Sequence, residues 1–97
     1  MVTEIAVLEI TPGSEEAFAD AYRKVRHEVA ETEGCRSVRL TRGVESPSRF
    51  VLLVEWDSVE AHERNFRAGD GFVRWRAAIG PHFARPPQVG HYVDIDG

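Results

Sequence analysis

Cysteine, lysine and long apolar runs are the scarce features of this 97-residue chain. Cys35 is the only cysteine, so no intrachain disulfide can form and a thiolate metal centre would need other ligands. Lys24 is the only lysine. Basic residues are outnumbered and the formal net charge is −4, which argues against a general nucleic-acid-binding surface. The opening MVTEIAVLEI is broken by Glu4 and Glu9 and carries no basic leader or cleavage site. It reads as neither a signal peptide nor a membrane span, and the cytoplasm is the expected compartment. The four histidines have no HxxxH spacing and no cysteine pair supports them, so no metal is expected. G-x-G-x-x-G, P-loop and G-x-S-x-G motifs are also missing. That fits an enzyme without a cofactor and fits a non-enzyme equally well. Without repeats or linkers, residues 1–97 suit one domain, small enough that pairing with a second copy is a natural source of stability.

What is present is strong periodicity. Residues 2–10 alternate as a strand, with Ala6, Leu8 and Ile10 on one face and Ile5 and Val7 on the other. Ser14 is placed to cap a helix over 15–32, whose stripe is Phe18, Ala21, Tyr22, Val25 and Val29, and Gly34 sits where a glycine ends it. Residues 35–44 alternate again, with Val38, Leu40 and Val44 on the apolar face. After the ESPS loop, RFVLLVEW (49–56) is the most apolar run, with Phe50, Leu52, Val54 and Trp56 opposite Val51 and Leu53. Asp57 to Glu60 resembles a capping box for a second helix to about Ala68, with Val59, His62 and Phe66 on its inner stripe. A short helix over 72–79 ends at Gly80-Pro81, and residues 87–95 form a last strand through Val89, Val93 and Ile95.

This order predicts an α+β, ferredoxin-like βαββαβ fold with an antiparallel sheet and helices on one face. The first and third strands are apolar on both faces, yet helices cover only one. A second copy of the sheet is the economical cover, so a face-to-face homodimer is expected.

The run VLLVEWDSVEAHERNF, the break before GFVRWR, then PHF and a last strand resemble the antibiotic-biosynthesis-monooxygenase family, as does the opening strand followed by TPGSEEAF. The resemblance implies a dimeric α+β barrel, with a pocket in each protomer between sheet and helices. One branch of that family oxidises aromatic polyketides with dioxygen and without metal, flavin or haem. Another binds and degrades haem. The resemblance places Arg76 where the haem branch has its histidine ligand and Asn65 where it has a tryptophan. Arginine stays protonated and is no ordinary iron ligand, although His82 lies nearby. In the polyketide branch, asparagine, tryptophan and arginine belong to the pocket, and Asn65, Trp75 and Arg76 are the residues of those types here.

The segment FVRWRAAIGPHF concentrates the candidates. Phe72, Trp75 and Ile79 share one helix face, which serves a core or a pocket wall equally. Trp75 offers a flat stacking surface and an N–H, and Arg76 offers either a solvated charge or a cation beside a substrate anion. Asn65 could hold a substrate oxygen, with His62 three residues earlier as a proton acceptor. Phe66, Phe83, His82 and Trp56 complete the candidate lining, with Trp56 read chiefly as a core anchor and His91 as a weaker candidate facing the interior or the dimer seam. The expected activity is oxidation of an aromatic polyketide or quinol-type substrate without a bound cofactor. The alternatives are a non-catalytic dimeric binder of small ligands, or haem binding.

Overall fold

A computed structural model describes residues 1–97. The elements run β1 (Val2–Glu9), α1 (Glu15–Val25), α2 (His27–Ala30), β2 (Cys35–Arg42), β3 (Arg49–Trp56), a π-helix (Ala61–Arg67), α3 (Asp70–Ile79), a 3₁₀ turn (Gly80–His82) and β4 (Gln88–Tyr92). The four strands form one antiparallel sheet in the order β2-β3-β1-β4, the ferredoxin-like arrangement expected from the sequence. Its central pair aligns Ala6 with Leu52, Leu8 with Phe50 and Glu4 with Val54. All six point to the helix side, since residues two apart on a strand share a face. The core therefore lies between this face and the stripe Phe18, Tyr22, Val25 and Val29 of α1 and α2, with Trp75 and Ile79 of α3.

Several boundaries differ from the periodicity. The helix over 15–32 is two helices separated at Arg26, whose guanidinium donates to the Val38 carbonyl. Ser14 stands at the helix start without a side-chain cap; Glu15 instead accepts from the Gly13 N–H. The second strand stops at Arg42, and Val44 is exposed because Gly43 N–H turns back to the Arg49 carbonyl. Asp57 is drawn to Arg36, so Ser58 provides the cap by accepting from the Ala61 N–H. Val59 is consequently at the surface and Ala61 takes the inward position. The last strand covers only Gln88–Tyr92, and Val93 and Ile95 lie beyond it, exposed.

The segment after Ser58 is the main departure from expectation. It is a π-helix, in which i→i+5 hydrogen bonds replace i→i+4 ones; Ala68 N–H, for example, bonds the Glu63 carbonyl. The wider turn brings His62, Phe66 and Arg67 to one side, while Asn65 is carried away from it.

Gly34 fixes how closely this segment approaches the sheet. Its φ of 94° is left-handed, and a Cβ there would meet Ala61 Cβ at 2.6 Å. Gly13 has a similar φ of 97° but open space around it. Gly13→Ala should therefore cost about 1 kcal/mol, the left-handed penalty alone. Gly34→Ala should cost at least about twice that, because the π-helix must also move. Urea unfolding of the two variants checks the difference.

Candidate active site

A cavity of about 320 Å³ lies between the helix side of the sheet and the segment from the π-helix to β4. Its sheet wall includes Ala6, Leu8, Leu52 and Val54, which are inward by strand parity. Its opposite wall is aromatic, made by Phe66, Phe72 and Trp75. Phe66 stands edge-on to Phe72, with centroids 5.6 Å apart at 89°, and to Trp75, at 6.2 Å and 75°. Tyr22 packs edge-on behind Trp75 at 6.0 Å. Rings packed edge to face hold one another in place, so this side of the slot is an ordered aromatic wall.

One end of the slot is polar. Glu4 points into it because it has the same parity as Ala6 and Leu8, and it is only 6% exposed. Glu4 Oε1 accepts from the Trp56 indole at 2.9 Å, and His62 Nε2 lies 3.3 Å from the same oxygen. His62 Nδ1 is 2.8 Å from His91 Nε2. His91 is the direct register partner of Glu4 on β4, which explains why a β4 side chain reaches this point. The His62 ring packs in a three-ring cluster, 5.1 Å from Trp56 and 6.3 Å from Phe66, which lie 6.1 Å from each other. Glu4, His62 and His91 form a line rather than converging on a common metal position.

Burial raises the Glu4 pKa, against opposing contributions from the Trp56 hydrogen bond, His91 and Arg67. Burial likewise lowers His62, to about 4, with His91 and Arg67 adding to it. The short approach to Glu4 would favour an imidazolium, but both groups are removed from water and Arg67 and His91 oppose a charge on His62, so the neutral ring is the state that fits.

Two arginines mark the open side. Arg67, from the last turn of the π-helix, lies over the Phe72 ring with 5.3 Å to its centroid. Arg76, from α3, lines this cavity and a shallower neighbouring groove that also contains Arg85. Both are exposed, and neither belongs to the ion pairs made by Arg23, Arg36, Arg42, Arg49 and Arg74.

Of the residues singled out from the sequence, His62, Trp75, Arg76, Phe66, Phe72, Ile79 and Phe83 all line this cavity. Asn65 does not: it is exposed, and its amide donates to the Glu33 carbonyl at 2.7 Å, tying the π-helix to the Gly34 turn. His82 is also outside the lining; its ring packs edge-on against Phe18 and its carbonyl accepts from Thr11 N–H. Trp56 is fully buried behind His62 and acts on the cavity through Glu4. Glu4 and Arg67 were missed. Glu4 had a usable signal, a carboxylate at core parity in a strand, whereas Arg67 depends on the π-helix.

The conserved pattern described as antibiotic biosynthesis monooxygenase matches residues 1–78. This chain belongs to that family. A Bordetella bronchiseptica protein classed with the antibiotic biosynthesis monooxygenases is 36% identical, with TM-score 0.93 over 97% of this chain and 96% of that one. YczJ of Bacillus subtilis is 32% identical over 95 residues, 98% of this chain and all of that protein. SnoaB of Streptomyces nogalater, a cofactor-independent oxygenase, shares the fold at TM-score 0.82 and 18% identity, over 96% of this chain and 91% of that one. No helix is long and apolar enough to cross a membrane.

The two buried groups pull acid stability in opposite directions. Unfolded His62 binds a proton more readily than folded His62 between its ordinary 6.5 and about 4, so this residue makes stability fall as pH drops through that window. Glu4 is raised when folded, so it holds its proton better in the native state and stability falls as pH rises from 4.5 through its folded value. Glu4→Gln should therefore show a steeper loss of stability on acidification than wild type, and His62→Gln a shallower one, in denaturant titrations from pH 7 to pH 4.

Proposed function

We propose that this protein is a monooxygenase that oxidises a flat, electron-rich aromatic of the anthrone or hydroquinone type with dioxygen and without a bound cofactor. The observation that carries the reading is a slot with aromatic walls that ends on a buried carboxylate and a neutral imidazole, with two unpaired arginines at its open side. Family membership supports the same reaction class. At about 320 Å³ the slot lies at the lower end of small-molecule sites, which favours a compact planar substrate.

In this reading the substrate stacks against Trp75 and loses a proton at its polar end. The anion passes one electron to dioxygen, and the radical pair combines to a peroxide. In an anthrone the peroxide collapses to a carbonyl, so that its CH₂ group and O₂ become C=O and H₂O. No external reductant is needed. Arg76 and Arg67 hold the developing negative charge, and the apolar walls keep bulk water from competing for it. Asn65 has no part in this scheme, because its amide is spent on the Glu33 carbonyl. Haem is disfavoured, because both His62 nitrogens already have partners and Arg76 cannot ligate iron.

The assembly belongs to the same proposal. The sheet face opposite the helices carries Ile5, Val7, Val51 and Leu53, which pair across β1 and β3 as Ile5 with Leu53 and Val7 with Val51. No helix of this chain covers that stripe, and a second copy stacked face to face would bury it.

Oxygen uptake by metal-stripped protein with a panel of anthrones and hydroquinones, corrected for autoxidation, tests the activity. Protein-dependent uptake with quinone formation is expected, and its absence while the same compounds still bind would leave a ligand-binding protein without turnover. Trp75→Phe and Arg76→Ala should lower turnover far more than they lower the melting temperature; parallel losses of both would return these residues to a purely structural role. Sedimentation at micromolar concentration should show a dimer, and a stable monomer would overturn the stacked-sheet assembly.

A further inference from the structure

Resting on the oxygenase reading, we infer that Glu4 is the group that takes the substrate proton, and that His62 and His91 are positioning residues that aim it. The argument begins with the two carboxylate oxygens. Trp56 Nε1–H can only donate, so Oε1 is an acceptor, and His62 Nε2 approaches that same oxygen. Oε2 has no hydrogen bond within the chain, yet no buried side-chain oxygen is left without a partner. Oε2 is therefore the oxygen that opens onto the cavity Glu4 lines. One oxygen is anchored by the Trp56 indole, with His62 beside it, and the other is free for the substrate.

His62, the natural base from its residue type, is in the wrong position to act directly. Its Nδ1 is bonded to His91, and its Nε2 faces Glu4 Oε1 at 3.3 Å rather than the cavity. With Glu4 ionised, a proton on Nε2 is the favoured state, because a bare Nε2 would set two acceptors 3.3 Å apart. Neutral His62 then has a bare Nδ1, and His91 Nε2 must be the donor across 2.8 Å. The order His91–His62–Glu4 thus fixes one tautomer, much as an orienting residue fixes the histidine of a hydrolytic triad. His91 faces Glu4 from the neighbouring strand in direct register, so the alignment is set by the sheet ladder and not by a mobile loop.

The proton balance closes within the site. The substrate C–H or O–H bond breaks, its electron pair stays on the substrate, and Glu4 Oε2–H forms. After oxygen addition, Glu4 returns this proton to the peroxide, whose collapse releases water. A carboxyl group desolvated by burial is stronger as a base than one in water. The charged or titratable groups around Glu4 are His62 and Arg67 from the π-helix, His91 from β4 and Cys35 from β2. Of these, His91 and Arg67 oppose the rise that burial gives Glu4.

Deuterium exchange at the acidic CH₂ of anthrone, followed without oxygen, isolates proton removal from the later chemistry. Wild-type protein should catalyse the exchange, and Glu4→Gln, which keeps the shape and an acceptor for Trp56, should lower its rate by about 100-fold or more. Glu4→Asp should recover part of it. Equal exchange by wild type and Glu4→Gln, with both folded by thermal melting, would overturn the assignment while leaving the oxygenase reading intact. No exchange and no oxygen uptake by wild type would overturn both. For the positioning role, ring-nitrogen NMR should show His62 as the neutral Nε2–H form. His91→Leu should lose that single tautomer together with exchange rate, and His91→Gln, which retains a donor, should restore both. A His62 tautomer unchanged in His91→Leu would overturn the positioning role.

Discussion

A carboxylate held inside the sheet–helix interface is the constraint around which the rest of this protein is arranged. Taking an ionisable group out of water is costly unless its atoms find partners. Here Glu4 of β1 is met by residues from three other elements: Trp56 from the end of β3, His62 from the π-helix and, behind it, His91 from β4. Trp56 and His62 pack in turn on each other and on Phe66. The polar end of the cavity is therefore held by the same contacts that close the core. The aromatic slot is the space left when that end is satisfied and the helices cannot approach further.

The fold was readable because its signals are local and redundant. Alternation in VTEIAVLEI and RFVLLVEW and the stripe through Phe18, Tyr22, Val25 and Val29 agree with the sheet and helices observed, whereas the helix ends at Ala30, capped at Glu31, and Gly34 instead forms the turn into β2. The failures have physical reasons. Val93 and Ile95 continue a period-2 pattern, but β4 loses its partner once Thr3 of β1 has been paired with Tyr92. Asp57 looked like a cap, yet Arg36 from another strand competes for it, and a single sequence cannot show a partner 21 residues away. Val44 continued the alternation of β2 while the backbone had already turned at Gly43.

The site was half legible. Trp75, Phe72, Ile79 and Arg76 cluster on one short helix, and clustering of that kind survives errors of a residue or two in the boundaries. Asn65 and Arg67 exchange importance because the segment carrying them winds at the wider π pitch, for which its sequence gives no period to detect. Glu4 was passed over as an interruption of an apolar run. Its parity with Ala6, Leu8 and Ile10 already required a carboxylate to enter the core, and a charged residue placed there needs an explanation before any neighbouring aromatic does.

The π-helix also bears on how this chain could have diverged from its relatives. A π turn takes up one more residue than an α turn without lengthening the path between its ends, so it stores an insertion at a point where both flanks stay fixed. Removing one residue between His62 and Arg67 would let the segment settle into ordinary α geometry while the elements on either side keep their places. His62 would stay beside Glu4 and the cation over Phe72 would stay at the opening, and only the side chains inside the turn would change face. A single-codon length change in this segment is thus a route by which the same scaffold can re-aim a side chain such as Asn65, now tied to the Glu33 carbonyl, while the buried polar end is left intact.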